Sequence, residues 1–172
     1  NANAFMEAAT TEIDGAINSL SRSIAVKMYG DGFGAIGQVS APGASTTLTL
    51  TNSSQITNFD VGMAIVFSAS AGANTLRAGG AALFVTGVNR TAGTMTVNAN
   101  VNSIAGITTS DFIFVQGDRQ DSATPSRLCL SGLEAWIPAT APGATAFFGV
   151  DRSVDTTRLG GQRLVGTGTP IE

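Results

Sequence analysis

The sequence predicts an α+β fold that is mainly β, with a long N-terminal helix, a small antiparallel β-barrel and an irregular C-terminal segment. Three observations support this prediction. Apolar residues recur at three- and four-residue steps early in the chain, alternate with polar residues in its middle, and show little periodicity later. The implied regions are residues 1–37 for the helix and a glycine turn, 38–118 for the barrel and 119–172 for the irregular segment.

The helix is predicted over residues 3–29, where apolar residues form one stripe. At 1.5 Å per residue it would be about 40 Å long, which is long for a domain of this size. Gly15 costs this helix about 1 kcal/mol relative to alanine, and the glycine-rich run at residues 30–34 ends it. The stripe consists of Phe5, Ala9, Ile13, Ile17, Leu20 and Ile24.

Five short runs of β-branched and aromatic residues predict strands, separated by Gly, Asn, Ser and Asp. Their number and spacing predict a small antiparallel barrel or sandwich. Residues 89–93 predict a hairpin loop in which Gly93 supplies a positive φ. The strands are expected at residues 46–51, 63–68, 82–88, 94–98 and 112–116. Their core residues should include Leu48, Leu50, Ile65, Phe67, Val97 and Phe114.

The composition argues against catalysis and cofactors. The 172 residues include no histidine and one cysteine, so there is no Ser-His-Asp system, no imidazole ligand, no internal disulfide and no thiolate metal cage. Cys129 lies between two leucines and is expected to be a buried small hydrophobe. A net charge of −3 argues against a nucleic-acid-binding surface. We therefore predict no catalytic, cofactor-binding or metal site, and no enzyme activity.

Residues 32–39 match the G-x-G-x-x-G-x-V pattern of a kinase glycine loop. A phosphate site of the dinucleotide-binding type needs a strand before its glycines and a helix N-terminus after them. Here a helix precedes the glycines and a β region follows. We interpret residues 32–37 as a helix end and loop that bind no nucleotide.

The last third of the chain contains the densest charge pattern and two adjacent aromatic residues. Arg152, Asp155 and Arg158 mix both signs at short spacing, which suits ionic contacts between polypeptides. Phe147 and Phe148 lie just before them in a segment without an obvious core. We predict that these five residues form a contact between subunits or domains, with a solvated loop of weak ion pairs as the alternative.

Four features follow one another along the chain. The long helix runs into G-D-G-F-G at residues 30–34, and the β region follows. S-G-L-E-A-W-I comes next at residues 131–137, and F-G-V-D-R at residues 148–152 leads toward a helix start at residues 169–172. This order resembles the major capsid protein of tailed bacteriophages, with the Hong Kong 97-type fold. In that family a spine helix runs into a G-D-G-x-G turn, then a G-L segment and an axial-domain helix, and some members insert a β-barrel near this junction.

The resemblance implies a structural protein without catalysis or a cofactor. The chain would be a central fragment of a phage or prophage major capsid protein, which assembles the icosahedral shell around double-stranded DNA, with residues 38–118 as an insertion domain. Its partners would be copies of itself in hexamers and pentamers, and scaffolding or decoration proteins are further candidates. No membrane or sequence-specific nucleic acid is expected. The protein would reside in the virion after assembly in the bacterial cytoplasm. The residues leave one alternative, a free-standing β module that binds carbohydrate or another surface ligand.

Overall fold

The computed structural model describes residues 2–72, 75–119, 121 and 127–161, with side chains from residue 6 onward. Its helices are α1 (Ala2–Tyr29), α2 (Leu133–Trp136) and α3 (Thr156–Leu159). Its strands are β1 (Ala35–Ala41), β2 (Thr47–Leu50), β3 (Ala64–Ser68), β4 (Leu83–Asn89), β5 (Thr94–Val97) and β6 (Phe112–Val115). The predicted fold class, mixed α and β but mainly β, is confirmed.

The six strands close into a barrel in the order β1-β2-β5-β4-β3-β6, with every neighbouring pair antiparallel. The β4–β5 hairpin turns where predicted, with Gly93 at φ +65°. A Cβ at Gly93 would overlap the Ser53 side chain, so the glycine also permits close packing. Closure gives every strand two partners, which leaves no open sheet edge.

The barrel interior is filled by alternate residues of the strands. All six predicted core residues are buried, but Phe114 lies outside the interior cluster. Its strand neighbour Ile113 belongs to that cluster, and adjacent strand residues point to opposite faces. Phe114 therefore lies on the outer wall opposite Val66, with the Arg119 guanidinium 5.5 Å from its ring centroid.

Strand β1 differs from the sequence prediction, which has a loop over residues 32–37 and a barrel that begins at residue 38. The strand begins at Ala35 and includes Gly37, where a Cβ would come within 3.0 Å of the Phe59 ring. Glycine weakens a strand signal because it has no side chain to pack. The strand forms because β2 and β6 hydrogen-bond to its two sides.

Helix α1 has the predicted extent, and Gly30 ends it with an N–H that donates to the Lys27 carbonyl. Its C-terminal third contacts the barrel. Arg22 donates to the Asp60 carboxylate and the Thr57 carbonyl, and Val26 packs against the core. The apolar residues on the opposite side of the helix do not face the barrel.

The C-terminal segment is irregular, as predicted, with two four-residue helices and a 3₁₀ turn at Arg152–Asp155. Asp151 caps this turn by accepting from the Ser153 N–H at 2.8 Å. The helix start predicted at residues 169–172 lies outside the described residues.

Candidate interaction surface

The chain enters and leaves the barrel at one place, which we call the junction (residues 30–34 with 127–132). Gly32 and Gly34 have φ of +86° and +89° and turn the chain from α1 into β1. The Cys129 N–H donates to the Gly32 carbonyl at 3.2 Å, and Arg127 Nε donates to the Asp31 carbonyl at 3.0 Å. The segments that flank the barrel are therefore bonded to each other.

Gly132 brings α2 onto the end of α1. A Cβ at Gly132 would overlap the backbone carbonyls of Lys27 and Met28. Only glycine permits this approach, because any other residue would push the two helices apart. The Gly132-Leu133 pair noted in the sequence therefore marks the position where the backbone at the start of α2 packs directly on the backbone at the end of α1.

Lys27 and Asp118 form an ion pair beside the junction, with 2.9 Å between Nζ and Oδ2. Partial burial acts to lower the pKa of Lys27, but the hydrogen bond and charge of Asp118 outweigh it, so the pKa is raised. Burial and the nearby Asp118 raise the pKa of the Cys129 thiol. Cys129 is half-buried, so the expectation of a buried side chain is met only in part, because the residue lies at the edge of the junction with its Sγ 3.7 Å from the Asp118 carbonyl oxygen.

A cleft of about 230 Å³ separates α1 from the barrel. Its charged groups are paired: Arg22 with Asp60 and Lys27 with Asp118. Asn58 on its wall donates to the Ile36 carbonyl at 2.8 Å. The two ion pairs attach the helix to the barrel.

Three aromatic rings form a cluster next to the junction. Trp136 meets Phe147 edge-on at 4.9 Å and stacks on Phe148 at 5.9 Å, measured between ring centroids. The Arg152 guanidinium lies 4.2 Å from the Phe147 centroid, and that of Arg127 lies 4.9 Å from it. Such cation–π contacts are worth about 0.5–2 kcal/mol each, depending on burial.

Arg127 also joins this cluster to the junction. Its guanidinium lies 4.5 Å from the Phe33 ring centroid. Burial lowers the pKa of Arg127; the charge of Asp31 opposes this change, whereas that of Arg152 adds to it. The aromatic cluster, the glycine turn and the return segment therefore form one connected unit.

The predicted interface residues separate into inward and outward groups. Phe147 and Arg152 are buried, and Arg152 Nη1 donates to the Trp136 carbonyl at 3.0 Å. Asp155 caps α3 by accepting from the Arg158 N–H at 3.0 Å, while the Arg158 side chain is exposed. Phe148 is 74% exposed. The role of these five residues at subunit or domain contacts stays a prediction.

Phe148 combines exposure with an unfavourable backbone. It lies in a tight turn closed by hydrogen bonds between Phe147 and Val150, at φ +50°. A bulky residue at positive φ is a genuine outlier and costs of order 1–3 kcal/mol. The turn holds this ring at the surface, stacked on Trp136.

The sequence prediction did not identify the exposed side of α1. Its large apolar side chains face solvent. Leu130, Leu133 and Trp136 line a groove together with Met28 at the C-terminal end of the helix. The three- and four-residue spacing in the sequence places these side chains of α1 on one face of the helix. It does not reveal whether another element of the fold covers that face. The exposed helix residues are Met6, Ile13, Ile17, Leu20, Ile24 and Met28.

The kinase-like glycine pattern forms the turn into β1 and the strand itself. Val39, its last residue, is buried, and its N–H donates to the Asp111 carbonyl at 2.8 Å. A strand follows these glycines where a phosphate site of the dinucleotide type needs a helix. The absence of nucleotide binding stays a prediction.

Within the described part of the chain, no three His, Cys, Asp or Glu side chains are placed to hold a metal ion. Among the same residues, no helix is long and apolar enough to cross a membrane. No family model, curated protein or solved structure matches the chain.

Proposed function

We propose that this chain is part of a shell-forming structural protein of the tailed-phage major capsid type, in which the barrel is an insertion domain. One observation carries the proposal: the segments before and after the barrel bond to each other at the junction. An insertion domain requires a framework whose continuity does not depend on the inserted domain. Here that framework is α1, the junction and residues 127–161.

The surface of this framework supports an assembly role. Helix α1 and the segment after the barrel expose large apolar side chains, whereas the barrel buries most of its own. Contiguous exposed apolar surface beyond a few hundred Å² marks an interaction site. A subunit that must contact several neighbours needs such surface on its framework.

The structure of the barrel itself also supports its assignment as an insertion domain. Its strands hydrogen-bond in a closed ring, so it needs no partner strand from elsewhere. A domain of this kind can be added to a framework without changing how the framework folds.

The decisive experiment is electron microscopy of the product of the entire reading frame that encodes these residues, expressed alone. The expected result is closed shells of uniform diameter. A soluble product that forms no particles and binds immobilised glycans would overturn the proposal in favour of the carbohydrate-binding alternative.

Substitutions in the C-terminal segment refine this test. Phe148→Ser should reduce shell yield while the subunit stays folded, and Val154→Ser, at an equally exposed position of the same segment, is the matched control. Arg158→Glu tests the charge contact. Arg152→Glu is unsuitable, because Arg152 is buried against the Phe147 ring and its loss would unpack the subunit itself.

A further inference from the structure

A pocket of about 430 Å³ lies between residues 127–131 and the turn that contains Phe147 and Phe148. Leu130 and the two phenylalanines form its apolar wall. Arg127 carries the only charge among the described residues that line it, and none of these residues is acidic. The pocket is therefore partly apolar and positively charged.

The Arg127 guanidinium is held in place at this pocket. It lies 4.5 Å from the Phe33 ring centroid and 4.9 Å from the Phe147 ring centroid, and its Nε donates to the Asp31 carbonyl at 3.0 Å. Its two terminal nitrogens bond to no group in the part of the chain that the structure describes. Because the side chain is already ordered, a carboxylate that binds both nitrogens side by side costs little further conformational freedom.

The positive charge of Arg127 is incompletely balanced. No carboxylate of the described residues forms an ion pair with it. Asp31 is near enough for its charge to act on Arg127, but the Asp31 Oδ1 accepts from the Phe33 N–H at 2.9 Å. Arg152 adds a second positive charge, 4.2 Å from the centroid of the same Phe147 ring. Two guanidinium groups therefore contact one ring without a paired acid.

Arg152 is also buried, and it has no acidic partner among the described residues. Its Nε is buried and has no hydrogen-bond partner there. The acids nearest to it in sequence serve as caps instead: Asp151 accepts from the Ser153 N–H, and Asp155 accepts from the Arg158 N–H. Since buried charges are normally paired, a negative group is expected close to the Phe147 ring.

We propose that this pocket binds the carboxylate of an aspartate or glutamate that another polypeptide presents beside an apolar side chain. The carboxylate accepts from both terminal nitrogens of Arg127, and the Ser131 hydroxyl in the same wall offers a further donor. The apolar neighbour packs on Phe148, which its turn holds 74% exposed. A small inorganic anion would leave this ring uncovered. The inference does not rest on the proposed shell function.

The first test is titration of the 172-residue chain with a blocked five-residue peptide that has a central glutamate between leucines. Trp136, the single tryptophan, stacks on Phe148 beside the pocket, so its fluorescence reports binding. A saturable change with a Kd below about 1 mM is expected. The matching glutamine peptide should bind about tenfold more weakly, because it lacks the charge that pairs with Arg127.

Three results of this titration contradict the proposal. They are equal binding of the two peptides, binding of neither, and an equal response to inorganic phosphate, which would show a site for small anions. Both peptides are compared on the unaltered chain, so the result does not depend on how a variant folds.

Substitutions of two exposed arginines locate the site. Arg127→Gln should weaken binding of the glutamate peptide about tenfold, and Arg127→Lys should also weaken it, because an ammonium group lacks the planar fork of a guanidinium. Arg158→Gln removes the same charge from an exposed position outside the pocket and should leave the affinity unchanged. Far-UV circular dichroism checks that all three variants keep the parent fold. Equal losses for Arg127→Gln and Arg158→Gln would mean that general charge attraction binds the peptide and that the pocket does not.

The last test identifies the polypeptide that supplies the acid. Of the 12 acidic residues in the chain, only Glu172 lies outside the described residues. Glu172→Gln should leave the peptide affinity unchanged, whereas a rise would show that Glu172 occupies the pocket. In the product of the entire reading frame, a photoreactive benzophenone amino acid in place of Phe148 should cross-link to another chain. Cross-links within one chain only, or a rise in affinity for Glu172→Gln, would refute the assignment to another polypeptide.

Discussion

The barrel and helix α1 carry the same kind of sequence signal, an apolar face with a regular period, but the two faces end in opposite environments. The apolar face of the barrel closes on itself, and Leu48, Ile65 and Phe67 are fully buried. The apolar face of α1 stays in solvent. A periodic pattern therefore shows which residues share a face, whereas what covers that face depends on the rest of the fold.

The difference has a geometric cause. Six short strands can bend into a cylinder whose residues cover one another. A single straight helix has no second surface to fold against, so its stripe needs a partner. The barrel thus covers its own apolar face, whereas α1 needs contacts with other segments to cover its apolar face.

The largest expected effect comes from separating the two regions. Excised residues 34–118 should unfold in one cooperative thermal transition, because they contain all six strands. Excised residues 2–29 should be mostly unstructured at micromolar concentration. Residues 38–118, which lack the first three of the seven residues of β1, should lose the cooperative transition. A cooperative transition for residues 38–118 would mean that β1 is dispensable.

Truncating one large apolar side chain in each region should give unequal losses of stability. Phe67→Ala removes a fully buried ring and should lower the free energy of unfolding by about 3–5 kcal/mol. Ile17→Ala, at a half-exposed helix position, should change it by less than about 0.5 kcal/mol. Chemical denaturation at dilute protein concentration measures both values. Similar losses would show that the apolar face of α1 is covered within one chain.

Acid should weaken the barrel through Asp111, whose side chain is 2% exposed and paired with Arg77 at 2.7 Å. Burial acts to raise the pKa of Asp111, but hydrogen bonds from Arg77 and Thr108 and the Arg77 charge outweigh it, so the pKa is lowered. This pair therefore stabilises fully above the unfolded-state pKa of about 3.9, and its contribution is lost as pH falls through the lower folded-state value.

Asp111→Ala tests that account. It should cost about 2–3 kcal/mol at pH 7, because it removes the buried carboxylate that pairs with the Arg77 guanidinium. The difference from the parent should shrink below pH 4. An equal difference at pH 7 and pH 2.5 would mean that the ion pair contributes nothing.

Two glycine substitutions should have modest effects of opposite sign. Gly15→Ala meets no atom within 4 Å on α1 and should stabilise the chain by up to about 1 kcal/mol through helix propensity. Gly37→Ala would press on the Phe59 ring and should destabilise the barrel by about 1–3 kcal/mol. Thermal melting of both variants tests this comparison. The same sign for both would contradict it.

Several elements follow from local sequence alone. The three- and four-residue steps of residues 3–29 determine α1, because a helix brings residues at that spacing to one face. Short runs of β-branched and aromatic residues, with clean alternation at residues 46–51, determine five of the six strands. The positive φ at Gly93 also follows from the loop length between two strands. These predictions are confirmed because each depends on residues close together in the chain.

Other features depend on the tertiary structure. Strand β1 exists because two distant strands bond to it, and Phe114 lies on the outer wall because of its register with Val66. Arg152 turns inward because the Trp136 carbonyl and the Phe147 ring lie beside it. The Gly132 approach to α1 requires two segments separated by the whole barrel to meet. The sequence determined which residues share a face, because that depends on local geometry, whereas the fold alone decided which faces are covered, because covering a surface requires partners far away in the chain.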